Sequence, residues 1–209
     1  NFKPSIVLLA VKPNQLGLAM SEELIDLISD SLIISIIAGK KIRELKKITR
    51  NKNKTVRAMT NTPVSLGMGT SILFFDKKIN KKDKILAKEF LALVGQVNEA
   101  RNESIIDTFT AIYGSGPAYI FLMIETLIKI SSKAGLKNSE NMVIQTFLGS
   151  LLLLMSEKHD ATMLRKKVTS KGGTTQAALS ILNSNKGLPE LLSRAINKAK
   201  KRSIDLSNN

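Results

Sequence analysis

The sequence predicts an α/β domain built on a parallel sheet over residues 1–101, followed by an all-helical dimerisation domain over residues 102–209. Across the first half, short runs rich in β-branched residues alternate with amphipathic segments, the signature of βαβ units. After about Arg101 these runs give way to long helical periodicities that last almost to the end. The 209 residues are 43% hydrophobic and 23% charged, the balance of a globular chain able to bury one good core or two small ones.

Ile6 to Val11 reads as a buried strand, stopped by Lys12-Pro13. Leu16 to Ile28 has helical spacing through Leu16, Met20, Leu24, Leu27 and Ile28, and Ser29-Asp30 ends it. Leu32 to Ala38 is a second strand and Gly39 its turn, after which Ile42, Leu45 and Ile48 share one side of a short helix. Thr55 to Met59 forms a third strand that leaves the sheet through Thr60-Asn61-Thr62-Pro63. Thr70 to Phe75, a lysine-faced helix over Lys82 to Leu93, and a short strand over Gln96 to Glu99 complete the first domain. Helices follow over Ala118 to Ile130, ending before Gly135, then Ser139 to Met155, Thr175 to Leu182 and Pro189 to Leu206. Helices this apolar in so small a domain need partner surface beyond their own core, so an obligate homodimer is expected.

Composition removes several classes of chemistry. Without cysteine there is no disulfide scaffold, thiolate metal site or cysteine nucleophile, and a reducing, cytoplasmic setting is the expectation. The single histidine, His159, sits between Lys158 and Asp160 without a nucleophile or orienting partner and reads as a surface residue; no metal site is expected. The longest apolar run, Leu151 to Met155, falls far short of the roughly 20 residues that cross a bilayer, so no membrane partner is expected. The net charge of +15 is scattered in small groups such as Lys77-Lys78 and Arg165-Lys166-Lys167, and aromatics are only 4%. A solvated lysine-rich surface is expected rather than a nucleic-acid partner.

Three segments stand at the carboxyl ends of predicted parallel strands, where open α/β sheets bind ligands: Ala10-Val11-Lys12-Pro13, Ala38-Gly39, and the loop containing Asn61. For the first, ordinary strand-ending punctuation is the alternative reading. Gly114-Ser115-Gly116-Pro117-Ala118-Tyr119 combines small residues with a proline suited to a helix start, and reads either as a close-approach or anion-facing turn or as a plain interdomain hinge. Val168 to Thr175 places Gly172-Gly173 among the hydroxyls of Thr169, Ser170, Thr174 and Thr175 ahead of an apolar helix. Such a loop converges backbone N–H groups on a small carboxylate; a helix-capping loop is the alternative. Gly67-Met68-Gly69 precedes a strand-like run and is not a dinucleotide fingerprint. With no catalytic triad or phosphate loop in the sequence, the chemistry is expected to lie mostly in a cofactor.

Taken in order, Leu9 to Pro13, Arg57 to Pro63, Gly114 to Tyr119, Val168 to Thr175 and Arg202-Ser203 resemble pyrroline-5-carboxylate reductase, and the resemblance runs through essentially the whole chain. It implies an N-terminal Rossmann domain binding NADPH or NADH, partial here, then a helical domain through which two subunits interlock, with further assembly into rings of dimers in many members. The implied reaction is hydride transfer to the C=N carbon of 1-pyrroline-5-carboxylate, giving L-proline. Carried over, Ser170, Gly172, Gly173, Thr174 and Thr175 bind the substrate, Thr175 facing the ring nitrogen as the catalytic hydroxyl. Ala10, Val11, Lys12, Pro13, Ala38, Gly39 and Asn61 surround the cofactor. Departures are Lys171 where proline is common and Tyr113 where a small hydroxyl residue is usual. The chain also opens on Asn1, close to an apolar stretch, without the first strand, glycine-rich turn and helix that receive the pyrophosphate. That implies a truncated first domain and a chain that binds NADPH poorly or not at all, the rival being a non-catalytic remnant that persists as a helical dimer.

Overall fold

The computed structural model describes residues 3–50, 53–156 and 160–207. They fall into two compact units, Asn1–Pro117 with Ile196–Asn209, and Ala118–Ala195. The strands are β1 (Ile6–Leu9), β2 (Leu32–Ser35), β3 (Lys54–Met59), β4 (Gly69–Phe75) and β5 (Gly95–Glu99), paired in that order in one sheet. Around them lie α1 (Leu16–Ala19), α2 (Glu22–Leu27), α3 (Ile42–Ile48), α4 (Lys81–Ala92) and α5 (Ile105–Phe109). Then come α6 (Gly116–Lys133), α7 (Ser139–Ser156), α8 (Ala161–Lys167), α9 (Thr174–Leu182) and α10 (Leu188–Leu206).

Strand alternation sorts the apolar residues onto both faces of the sheet. Leu32 and Ile34 pack with Val56, Ala58, Leu73 and Phe75 against Ala87 and Leu91 of α4. Ile33 packs the other way, with Leu9, against Leu16, Met20, Ile25, Ile28 and Leu45. Burial on both sides is why β2 reads as a continuous apolar run. Full burial of Ile33 and Ile34 contributes roughly 1.5–3 kcal/mol for each side chain.

β1, β2 and β3 are mutually parallel, as expected, but β3 and β4 pair antiparallel. Only Thr60 to Met68 separates them, too short for the dozen or more residues of a parallel crossover. α4 does supply such a crossover, and β4 and β5 pair in parallel. Where these two strands start, Gly69 faces Gly95, whose φ is +140°; a Cβ on Gly95 would fall on the Gly69 backbone. The expected helix over 16–28 is broken at Met20-Ser21. Ser21 caps α2 by accepting the Leu24 N–H at 3.3 Å, and Glu22 and Glu23 sit in the first turn, where carboxylates are favourable.

The compositional change after Arg101 coincides with the end of β5, whereas the compact units divide after Pro117. Between them, Ile106 and Phe109 of α5 join Met59, Ile72 and Ala100 in the core against the sheet. The last turns of α10 return to the same unit, where Ser203 Oγ donates to Asp107 Oδ1 at 3.0 Å. Asp107 also accepts from Arg57 Nη2 at 3.0 Å, and Glu103 stands 3.5 Å from Arg57 Nη1 while accepting the Ile42 N–H at 2.8 Å. Arg57 is 1% exposed and Asp107 3%. β3, α3, α5 and α10 are thus tied through one buried charged cluster.

A second charged group lies at the surface of the same unit. Lys88 hydrogen-bonds Glu99 at 2.7 Å and holds its carboxyl below the usual glutamate value; burial opposes this, and Lys84 at 3.3 Å adds to the lowering. A depressed carboxyl contributes stability that is present above its unfolded value and lost as pH falls through its folded one. Glu99→Gln is therefore expected to lower the melting temperature slightly above about pH 5 and not at all well below pH 4. Side chains this exposed limit the effect to less than about 1 kcal/mol, measurable by thermal melts across pH.

The second unit is different in kind. None of α6, α8 and α9 carries a buried residue, and α7 buries only Ser139. Phe121 and Leu122 on α6, and Leu151, Leu152 and Met155 on α7, stand more than half exposed. By length and apolarity alone the helical run Ile105–Lys133 would suffice to cross a bilayer. Its first turns are instead buried with the sheet at Ile106, Phe109 and Ala111, and α6 carries Glu125, Lys129 and Lys133. Gly135, at φ +84°, ends the segment after α6 as its position in the sequence suggested.

Candidate functional site

Because β1, β2 and β3 are parallel neighbours, the segments that follow them emerge along one edge of the sheet. That brings Ala10-Val11-Lys12-Pro13, Ala38-Gly39 and Asn61 to one edge of the first unit. The Ile36 N–H donates to the Leu9 carbonyl at 3.0 Å, continuing the β1–β2 ladder past the last paired residues. Lys12 then turns the chain, its carbonyl accepting the Gln15 N–H at 2.9 Å, and Pro13 opens a 3₁₀ turn over Pro13–Gln15. β2 ends earlier than expected because Ser35 Oγ accepts the Ile37 N–H at 3.3 Å and bends the chain towards Gly39. Gly39 has φ +75°, and a Cβ there would stand 2.9 Å from the Leu206 carbonyl, so only glycine suits the turn.

Asn61 has both ends of its side chain engaged. Its Oδ1 accepts the Thr70 N–H at 2.9 Å and its Nδ2 donates to the Tyr113 carbonyl at 3.2 Å. Ser71 Oγ donates to Thr60 Oγ1 at 2.9 Å alongside. The loop after β3 is therefore anchored both to β4 and to a π-helical turn over Thr110–Gly114, in which the Ser115 N–H reaches the Thr110 carbonyl at 2.8 Å. Asn61 thus fixes the shape of this edge from within. The Phe109 and Tyr113 rings lie 5.0 Å apart beside it. Gly67-Met68-Gly69 leads into β4, a strand, so it has no dinucleotide-binding context.

The second cluster lies wholly in the second unit. α8, capped by Asp160 Oδ1 on the Met163 N–H at 2.7 Å, closes with the Thr169 N–H on the Lys166 carbonyl. Ser170-Lys171-Gly172-Gly173 then leads into α9. Gly172 takes φ +75°, the Gly173 N–H donates to the Ser170 carbonyl at 3.1 Å, and a Cβ on Gly173 would collide with Ser170 Oγ. Both glycines are thus required, the first by its dihedral and the second by close approach. Gly173 is the N-cap of α9 and no side chain caps it, which leaves the first-turn N–H groups open. The hydroxyls of Ser170, Thr174 and Thr175 bond no other described residue. Open N–H groups at a helix start, with unengaged hydroxyls around them, suit a small carboxylate.

Gln176 also shapes the loop, unannounced by the glycine-hydroxyl motif: its Oε1 accepts the Gly172 N–H at 2.5 Å. The signal was present as a glutamine three residues after the N-cap, the spacing of a capping box. His159 lies outside the described residues. Among the described residues no group of three or more His, Asp or Glu side chains is placed to hold a metal ion.

Residues 103–206 match the family model described as pyrroline-5-carboxylate reductase dimerisation. The chain is 33% identical over 204 residues to pyrroline-5-carboxylate reductase of Pseudomonas aeruginosa, covering 97% of this chain and 74% of that protein. The solved pyrroline-5-carboxylate reductase of Coxiella burnetii is 37% identical, with a TM-score of 0.86 over 97% of this chain and 76% of that one. The Plasmodium falciparum pyrroline carboxylate reductase, solved with NADP bound, is 32% identical, with a TM-score of 0.87 over 97% and 77%. With the five-stranded α/β unit, the helical unit and the glycine-hydroxyl loop all in place, the chain belongs to the pyrroline-5-carboxylate reductase family.

Proposed function

We propose that this protein reduces 1-pyrroline-5-carboxylate to L-proline with NADPH or NADH, the last step of proline synthesis, as a homodimer joined through its second unit. The observation that carries the reading is the Ser170–Thr175 loop: a left-handed glycine, an uncapped α9 and three unengaged hydroxyls, in a chain of this family.

The ordered loop supplies what the substrate needs most. With the Gly172 and Gly173 N–H groups engaged within the protein, the open N–H groups of the first turn of α9 and the hydroxyls of Ser170 and Thr174 hold the carboxylate, and Thr175, one residue further along α9, faces the ring nitrogen. An imine already polarised by protonation needs little further acid catalysis, so holding it in one orientation is the main contribution of these residues. The nicotinamide supplies the hydride to the C=N carbon, and the nitrogen keeps its proton to become the secondary amine of proline. Ala10, Val11, Lys12, Pro13, Ala38 and Gly39 fit the cofactor role by position, at the carboxyl ends of parallel strands. NADP bound to the Plasmodium relative supports NADPH as the partner here. The exposed apolar faces of α6 and α7 fit a dimer interface better than a lipid surface, because α6 carries a Lys129–Glu125 ion pair and Lys133.

Thr175→Ala is expected to lower kcat by about tenfold or more, equivalent to roughly 1.4 kcal/mol of lost transition-state stabilisation, with the KM for NADPH unchanged. Steady-state kinetics with both substrates varied would measure it. Unaltered turnover would remove Thr175 from the mechanism.

A further inference from the structure

Resting on the reading of Ser170–Thr175 as the carboxylate loop, we propose that Gln176 is a positioning residue for substrate binding, which holds the loop in its receptive shape through the Gly172 N–H.

The loop contains two adjacent glycines and no proline, so little in its covalent structure restrains it. The N–H groups of its two glycines each donate a hydrogen bond that holds its shape. One lies within it, from the Gly173 N–H to the Ser170 carbonyl at 3.1 Å. The other joins it to α9, from the Gly172 N–H to Gln176 Oε1 at 2.5 Å. The second bond holds the residue with the left-handed dihedral, which has the most freedom to move elsewhere. It also turns the Gly172 N–H onto the flank of the first helical turn and leaves the N-terminal opening of α9 free of any side-chain cap. A loop already in that shape binds a carboxylate without first having to be ordered; a loop released from it must be ordered at each binding event. Losing the Gln176 acceptor therefore weakens substrate binding and leaves the bound complex to react as before.

Gln176→Met keeps length and shape and removes the acceptor, while Gln176→Glu keeps an acceptor oxygen. Amide hydrogen exchange at Gly172, followed in the protein without substrate, is expected to accelerate in Gln176→Met and to stay slow in Gln176→Glu. In Gln176→Met the KM for 1-pyrroline-5-carboxylate is expected to rise roughly two- to tenfold, the worth of one net hydrogen bond, with kcat and the KM for NADPH little changed. Unchanged Gly172 exchange in Gln176→Met would overturn the tether. Faster exchange with an unmoved KM would overturn the positioning role. Failure of the underlying reading shows separately: Thr175→Ala would then leave turnover untouched whatever the exchange at Gly172.

Discussion

Asp107→Ala is expected to destabilise the first unit by about 3–5 kcal/mol, the largest loss foreseen for any single side chain here. Arg57 is almost wholly enclosed at the centre of β3 and its guanidinium pairs with Asp107 at 3.0 Å, so removing the carboxylate strands a cation that water cannot reach. Ser203 loses its acceptor in the same step, and the return of α10 to the sheet loses a tie. Glu103, 3.5 Å away and already engaged by the Ile42 N–H, offsets only part of the charge. For a chain of this size the loss corresponds to a fall in melting temperature of roughly 6–20 °C. Replacing both partners, as in Arg57→Met with Asp107→Leu, removes the stranded charge and should recover much of the loss. Arg57 Nε and Nη1 lack hydrogen-bond partners among the described residues, which further favours the double replacement. Equal destabilisation by the single and double variants would show that the cluster acts by shape and not by charge.

The second large effect concerns assembly. Phe121→Asp on α6 or Leu152→Asp on α7 is expected to shift the protein from dimer towards monomer, weakening association by about 30- to 1000-fold. Both side chains are more than half exposed within the chain itself, on helices whose core contributions are minimal. A carboxylate there loses its hydration when the interface closes and finds no designed partner. Sedimentation velocity across a concentration series reads the change directly. A wild-type chain that sediments as a monomer at all concentrations would remove α6 and α7 as the interface. The family model that matches residues 103–206 describes dimerisation, which accords with helices that have almost no core of their own.

Much of this was legible in the sequence, for physical reasons that can be traced to particular residues. Leu32-Ile33-Ile34 and Val56 announce buried strands because a sheet covered on both faces demands apolar side chains at every position. The direction of β4 was not announced by its own residues; the shortness of Thr60 to Met68 was the usable sign. The break between α1 and α2 was written in Ser21-Glu22-Glu23, a cap followed by acidic residues, but the apolar spacing from Leu16 to Ile28 runs through it. α5 and α8 are not legible in the sequence because five and seven residues give too few turns for a periodicity. Arg57 carried a sign of its own, a charge inside an apolar strand, yet only the fold brings Asp107 and Ser203 to meet it. At the candidate site, the glycine-hydroxyl composition of residues 168–175 was readable. The tether from Gln176 depends on side-chain placement, and the two-ended engagement of Asn61 depends on residues 9 and 52 positions away.

The most direct test of the proposed function is an assay in which the purified protein is given 1-pyrroline-5-carboxylate and NADPH, with nicotinamide oxidation and proline formation followed together. Proline appearing in equal amount to the NADPH consumed, at a rate reduced by Thr175→Ala, is the expected result. A folded protein that consumes no NADPH in the presence of this substrate, or consumes it without forming proline, would contradict the assignment.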